Sequence, residues 1–383
     1  MIPTYHQPSL NRKSQIMKYP IVDLSVDYLE LKNEIDRAVE QVLTRGWYIL
    51  GQETAAFEAE FAAFCGLPYC VGVASGTDAV LLALKAIGVG PGDEVITVAH
   101  TAVATVVAIE LAGARPVLVD VDPLTMTLDP AGLATAITPR TKAIIPVHLY
   151  GHPADLAGIQ AQIAAQSHKI YLVEDCAQAH GAMYRSRPVG SWGDVASFSF
   201  YPTKNLAAFG DGGAIVTTNP EIAERLKMLR QYGWKQRYIS DISGYNSRLD
   251  ELQAAILRVK LTRLATRNQA RRQLAAIYRQ ELSDSGLILP AEQSECYHVY
   301  HLFVVQSQQR DRLQAYLQAN GVGTAIHYPV PVHLQPAYHH LGYPAGSLPV
   351  TERLAQQILS LPMYPQLTPL DTLDIAAILR NFA

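Results

Sequence analysis

A chain of 383 residues, 49% hydrophobic and only 17% charged, has apolar material for two domains with a large core and for surface hidden between subunits. Its 31 Lys and Arg against 34 Asp and Glu leave a net charge of -3, which excludes the basic footprint of a nucleic-acid binder. Four cysteines, Cys65, Cys70, Cys176 and Cys296, have neither metal-like spacing nor the density of a disulfide scaffold, so a reducing cytoplasm is the expected compartment.

Residues 1 to about 18 read as a loose arm, and MIPTYHQPSLNRKSQ has no apolar run that would make it a signal peptide. Helical periodicity covers Tyr28 to Leu43 and Thr54 to Phe64, with GWYILG between them as a turn with exposed aromatics. Tyr69 to Ala74 reads as a strand, turned by Ser75-Gly76-Thr77-Asp78 into the apolar helix Ala79 to Ile87. A strand, a tight turn and a helix start present free N–H groups and a positive dipole end, which suits a phosphate. S-G-T-D is equally an ordinary helix cap, with Thr77 or Asp78 capping, and only an acid and a lysine further along favour the phosphate site.

Alternation continues with strand Glu94 to Val98, helix Thr101 to Leu111, strand Pro116 to Val121, helix Leu133 to Ile137 and strand Ala143 to Val147. The apolar helix segment is short and carries Glu110, so it is no membrane span. Continuous apolar strands separated by helices predict an α/β fold with a mostly parallel sheet covered on both faces. No GxGxxG follows the first strand and no P-loop motif occurs, so nicotinamide and nucleoside-triphosphate readings have no support.

The stretch Ile170 to Thr217 organises the rest. An apolar run, Ile170 to Val173, ends in Glu174 and Asp175; a second, Val195 to Tyr201, leads to Lys204, and Gly-Asp-Gly-Gly opens a third, Ala214 to Thr218. An acid at a strand end and a lysine on a following loop are what pyridoxal phosphate requires. The lysine amine condenses with the aldehyde, and the carboxylate keeps the pyridine nitrogen protonated. Phe198, Phe200, Tyr201 and Pro202 would desolvate Lys204 and ease loss of its proton.

Beyond Thr218 the sequence predicts helix Glu221 to Tyr232, then SGYNSRLDELQAAILRVKL carrying Asn246 and Arg248 into another helix. Helical pattern then runs to about Leu282, with Arg263, Arg267, Arg271 and Arg272 toward water. A smaller α/β unit follows: strand Val299 to Val305, helix Asp311 to Ala319, strand Thr324 to Tyr328, a Pro- and His-rich loop from His327 to Tyr343, and helices Thr351 to Ser360 and Asp371 to Asn381. The division expected is an arm (1–18), a large cofactor-binding domain (19–262) and a small C-terminal domain (263–383). The loop histidines His333, His339 and His340 lack the acids or cysteines of a metal site.

SFSFYPTKN closely resembles the S-F-S/H-x-x-x-K-N motif of the DegT/DnrJ/EryC1/StrS sugar aminotransferases, a group of fold-type-I pyridoxal-phosphate enzymes, and EDCAQAHG resembles their E-D-x-A-x-x-x-G. The resemblance runs from about Ile21 to the C-terminus. It implies Lys204 as the Schiff-base lysine, Asp175 as partner of the pyridine nitrogen and Gln178 on the cofactor's phenolic oxygen. Ser199 and the Gly76-Thr77-Asp78 turn would hold the phosphate, and Asn246 would reach it from the neighbouring subunit of a homodimer with shared sites. His327 and Tyr328 match a pair near the substrate entrance, and His180 matches either support of the site or packing. One departure stands out: many members carry an aromatic after P-x-x-T to cover the cofactor ring, whereas VAHTAVAT puts Ala102 there, so either His100 supplies the stacking face or the ring is covered otherwise. The implied reaction moves an amino group, from glutamate, to a nucleotide-linked keto-deoxysugar. YPTKNLAAFGDGGA, HLYGHPADL and NSRLDELQAA resemble the branch acting on dTDP-3-keto-6-deoxyhexoses; members for 4-keto sugars more often carry Glu where this chain has Asp211. A 4-keto sugar or keto-cyclitol with the same residues, or a non-catalytic regulator that keeps the fold, are the alternatives.

Overall fold

The computed structural model describes residues 17–382, so the expected arm lies outside it except for Met17 and Lys18. Seven strands form the central sheet: β1 (Tyr69–Val73), β2 (Glu94–Val98), β3 (Arg115–Val119), β4 (Thr141–Ile144), β5 (Tyr171–Asp175), β6 (Val195–Ser199) and β7 (Gly213–Thr217). They lie in the order β1-β7-β6-β5-β4-β2-β3. From β6 to β3 every pairing is parallel. Strand β7 runs antiparallel to both neighbours, because the 200–212 connection contains no helix to carry the chain back to the opposite edge.

Neighbouring residues of one strand enter different cores: Val95, Ala143 and Val173 on one face, Ile96, Ile144 and Leu172 on the other. Both faces are therefore covered, and each buried Val, Leu or Ile contributes about 1.5–3 kcal/mol. Helices α1 (Leu24–Arg45), α2 (Gln52–Phe64), α3 (Gly76–Ala86), α4 (Val103–Leu111), α5 (Glu251–Leu261) and α6 (Leu264–Glu281) supply most of what bears on the site. Helix α2 follows Gly51, which has no capping side chain, and borrows a cap from Glu251, about 200 residues away in the chain. The Glu251 carboxylate accepts from the N–H groups of Gly51, Glu53 and Thr54 at 2.8, 3.0 and 2.8 Å. That bond set pins the GWYILG turn, whose Trp47 and Tyr48 are exposed as expected.

A separate core gathers Leu274 and Tyr278 of α6 with Phe303, Leu313, Leu317, Leu359, Leu361 and Ile375, and Tyr19 joins it from near the N-terminus. Its strands β8 (Phe303–Gln306) and β9 (Ile358–Leu361) pair antiparallel. Here the structure departs from the expected elements: the strand expected over Val299 to Val305 is confined to Phe303–Gln306. The helix expected to Ser360 ends at Gln357, and the buried run Ile358–Leu361 is strand; a short apolar run does not distinguish the two by period. The expected strand Thr324 to Tyr328 is reduced to one bridge, Ala325 to Ser360. Arg267 and Arg271 do not face water: Arg267 pairs with Asp27 and Glu30 of α1, and Arg271 donates to the carbonyls of Tyr300, His301 and Met363. Among the described residues no helix is long and apolar enough to cross a membrane.

Candidate active site

Strands β5 and β6 end side by side, Asp175 opposite Ser197, so the sheet delivers Asp175 and Ser199 to one carboxyl edge. There a cavity of about 210 Å³ is lined by Ser75, Gly76, Thr77, Asp175, Gln178, Ser199 and Lys204, with Tyr201 and Asp211 also on its wall. Val80, Ala102, Ala104, Val147 and Leu149 give it an apolar side.

The end at Gly76 is built from backbone. Ser75 caps α3 by accepting from the Asp78 N–H at 3.1 Å, and the Gly76 and Thr77 N–H groups have no partner among the described residues. A Cβ on Gly76 would sit 2.5 Å from the Ser199 Cβ, so only glycine allows the helix start to meet Ser199 this closely. Two free N–H groups at a helix N-terminus beside a serine hydroxyl form an anion cradle.

Asp175 is 5% exposed. Its carboxylate accepts from Thr105 Oγ1 at 2.8 Å and from the Ala177 N–H at 3.1 Å, which leaves each oxygen able to accept once more. Thr105 is the residue that sequence reasoning missed here; it lies on the first turn of α4, one turn from Thr101, at the end of the VAHTAVAT segment. Lys204 sits in a tight turn, its N–H on the Tyr201 carbonyl at 2.9 Å. The turn is anchored on one side by Phe198 and Phe200 packed on Phe61, and on the other by Asn205, which bonds Asn268, the Val299 carbonyl and His301. Burial pushes the Lys204 amine down from 10.5 to about 8, opposed by the Asp175 charge, and no hydrogen-bond partner among the described residues occupies it.

Gln178 is buried; its Oε1 accepts from the Tyr150 N–H at 2.6 Å and its Nε2 donates to the Tyr328 hydroxyl at 3.2 Å. Tyr150 has φ 59°, a left-handed conformation that costs a non-glycine residue about 1–3 kcal/mol and persists where surroundings dictate it. The surroundings are visible: Gly151 after it would clash with Val299 if it carried a Cβ, and the Tyr150 and Gly151 carbonyls accept from Leu302 and Val299. His327 bonds Ser360 through Nδ1 at 2.9 Å, and burial together with the Lys204 charge lowers its pKa.

Other expected residues lie elsewhere. The Asp78 carboxylate accepts from Ser247 at 2.7 Å and does not line the cavity. Asn246 is exposed and pairs by backbone with Gln231, outside its own chain's cavity. His100 does not line the cavity either; it is buried against the Tyr150 hydroxyl at 3.0 Å, while Ala102 is on the wall. His180 packs between Phe198 and Phe200, and burial pushes it down to about 3. His148, Glu174 and Cys176 also meet, but as structure. Glu174 accepts from the N–H groups of Gly190, Trp192 and Gly193, each at 2.7 Å, and His148 Nδ1 accepts from the Ala154 N–H, so their lone pairs are already used.

Residues 29–380 match the model of the DegT/DnrJ/EryC1/StrS aminotransferase family. The chain belongs to this family. It is 54% identical, over 92% of its length and 96% of the relative's, to the erythromycin biosynthesis sensory transduction protein EryC1 of Saccharopolyspora erythraea. It is 48% identical, over 98% of both chains, to a dTDP-3-amino-3,4,6-trideoxy-α-D-glucose transaminase of Streptomyces venezuelae. It is 46% identical, over 94% and 97%, to a UDP-N-acetyl-3-dehydro-α-D-glucosamine 3-aminotransferase of Acidithiobacillus ferrooxidans. Among solved structures, S. venezuelae DesV in complex with a ketimine intermediate superimposes with a TM-score of 0.92 at 50% identity, covering 94% of this chain and 97% of that one. The α/β architecture and the aminotransferase class expected from the sequence are thus both met.

Proposed function

We propose that this aminotransferase uses pyridoxal 5'-phosphate to move an amino group from glutamate to carbon 3 of a dTDP-linked keto-deoxysugar. The observation that carries the reading is Lys204, an amine brought to about 8 by burial, in one cavity with the buried acid Asp175. The residues fit a phosphorylated pyridine aldehyde: an anion cradle that leaves no room for a Cβ at Gly76, a carboxylate with lone pairs to spare, and an apolar wall. When bound, that group supplies the electron sink and carries the amino group between donor and acceptor.

The chain's own residues do the rest. Lys204 Nζ, brought down to about 8 by burial, can take a proton and return it within one cycle. Asp175, fixed by Thr105 and the Ala177 N–H, holds a negative charge where a pyridine N–H needs one. Gly76, Thr77 and Ser199 would hold the phosphate, and Val80, Ala102, Ala104, Val147 and Leu149 would exclude water. With Ala102 in the aromatic position and His100 bonded to Tyr150, this aliphatic wall would meet a bound ring in place of a stacked side chain.

The sugar class and carbon rest on the relatives named for 3-amino sugars, on both dTDP and UDP carriers. Moving the ketone one carbon around an anchored sugar shifts it out of reach, so one regioisomer is favoured. EryC1's name favours the second reading, a sensory role; the retained Lys204 and Asp175 favour catalysis. The exposed Asn246 supports a homodimer in which it serves the partner's site. Helices α5 and α6 meet at Thr262–Arg263, where we place the boundary between the cofactor-holding and smaller units. Four free cysteines accord with a cytoplasmic setting.

The test is product analysis: with L-glutamate and dTDP-3-keto-6-deoxyhexose, NMR should locate nitrogen on carbon 3. Nitrogen only on carbon 4 overturns the regiochemistry, and no aminated product from any nucleotide keto-sugar overturns the substrate class.

A further inference from the structure

Tyr150 lines no part of the cavity, yet it bonds both Gln178 on the cavity wall and the 327–328 segment behind it. Its N–H holds Gln178 Oε1, Gln178 Nε2 holds the Tyr328 hydroxyl, and the Tyr150 hydroxyl donates to the carbonyl of His327, the residue preceding Tyr328. The bonds close a circuit that begins and ends on one residue. A phenol has a single proton, and here it goes to His327; His100 Nε2, 3.0 Å from the same oxygen, is therefore the N–H donor to it. Burial pushes Tyr328 up to about 12, so its hydroxyl keeps its proton at neutral pH. That hydroxyl accepts from Gln178, and no acceptor among the described residues takes its own proton, which is left to donate to a ligand.

We propose that Tyr150 is a positioning residue for the acceptor sugar: by tying Gln178 to the His327–Tyr328 segment, it aims the Tyr328 hydroxyl as a hydrogen-bond donor to the bound nucleotide sugar. This rests on the aminotransferase reading above. The tie is made from a turn held in place by Gly151 against the 299–302 segment, so the donor's position is set by the body of the protein and not by its own loop alone.

Tyr150→Phe keeps the ring and the N–H on Gln178 and removes only the two bonds at the hydroxyl. Calorimetry on the cofactor-loaded protein, with dTDP-3-amino-3,6-dideoxygalactose as the probe, compares the parent, Tyr150→Phe, Tyr328→Phe and the double variant. Loss of one such hydrogen bond should weaken binding about fivefold to tenfold in each single variant. The double variant should bind no worse than Tyr328→Phe, because Tyr150 acts through Tyr328. Losses that multiply, or a Tyr150→Phe protein that binds like the parent, overturn the proposal. Bleaching of the parent by L-glutamate reports on the aminotransferase reading separately.

Discussion

At the Gly76 end of the cavity every contributor belongs to the central sheet or the helix that follows its first strand. At the other end only Gln178 is on the wall, and the network behind it, His100, Tyr150, Gln178 and His327–Tyr328, comes from four separate stretches of chain. The first end works with main-chain N–H groups, the Ser199 hydroxyl and the absence of a side chain at Gly76, where a Cβ has no room. The second works with side-chain hydrogen bonds, each replaceable, so different sugars can be accommodated without touching the chemistry. Asp175 and Lys204 line the same cavity as Gly76, Ser199 and Gln178.

Substitutions should therefore fall into tiers. Lys204→Ala removes the amine common to both half-reactions, so turnover should fall by about 10⁴-fold or more in steady-state assays; a rate near the parent's would displace Lys204 from its role. Because burial lowers that amine from 10.5 to about 8, its unprotonated fraction grows as pH rises toward 8. Uptake of pyridoxal phosphate by the stripped protein, followed by absorbance, should accelerate about tenfold between about pH 6 and 7 and level off above about pH 9. A flat profile would contradict the shift. Asp175→Asn should cost about 10²–10³-fold in both half-reactions while much of the cofactor stays bound, since a neutral amide cannot hold the pyridinium charge. Full activity would point to another acid.

Gly76→Ala separates the two ends. Its Cβ would meet Ser199 at 2.5 Å, so the cradle must open; cofactor affinity by equilibrium dialysis should drop about tenfold or more while affinity for a nucleotide sugar on the loaded enzyme changes little. Equal losses of both would mean that the ends are not independent. Thr105→Val, which removes one bond to Asp175, should have the smallest effect, about fivefold on proton abstraction measured with α-deuterated glutamate.

Much of the Gly76 end was legible because its signals are local. A strand, S-G-T-D and an apolar helix mark the helix start on the cavity wall, and two apolar runs ending at Asp175 and before Lys204 mark the acid and the amine that share that cavity. Asp78 marks the limit of that reading: a side chain at a helix start can turn to a partner 169 residues away, and Ser247 claims it. The Tyr328 end was not legible as a unit. Nothing in HLYG shows that a tyrosine takes a left-handed backbone, a state normally signalled by glycine. Thr105 passed unnoticed for the same reason, since its partner is 70 positions away. The reversed direction of β7, the cap lent by Glu251 and the burial of Arg267 and Arg271 are likewise decided by tertiary neighbours.

The central claim is that Lys204 itself carries the cofactor. Borohydride reduction of the loaded protein followed by peptide mass spectrometry tests this most directly, because reduction fixes the cofactor to whichever amine holds it. The pyridoxyl group should be found on the peptide containing Lys204, and pretreatment with L-glutamate should abolish the label. A label on another lysine, such as Lys260 or Lys85, or a label that glutamate leaves unchanged, would contradict the account.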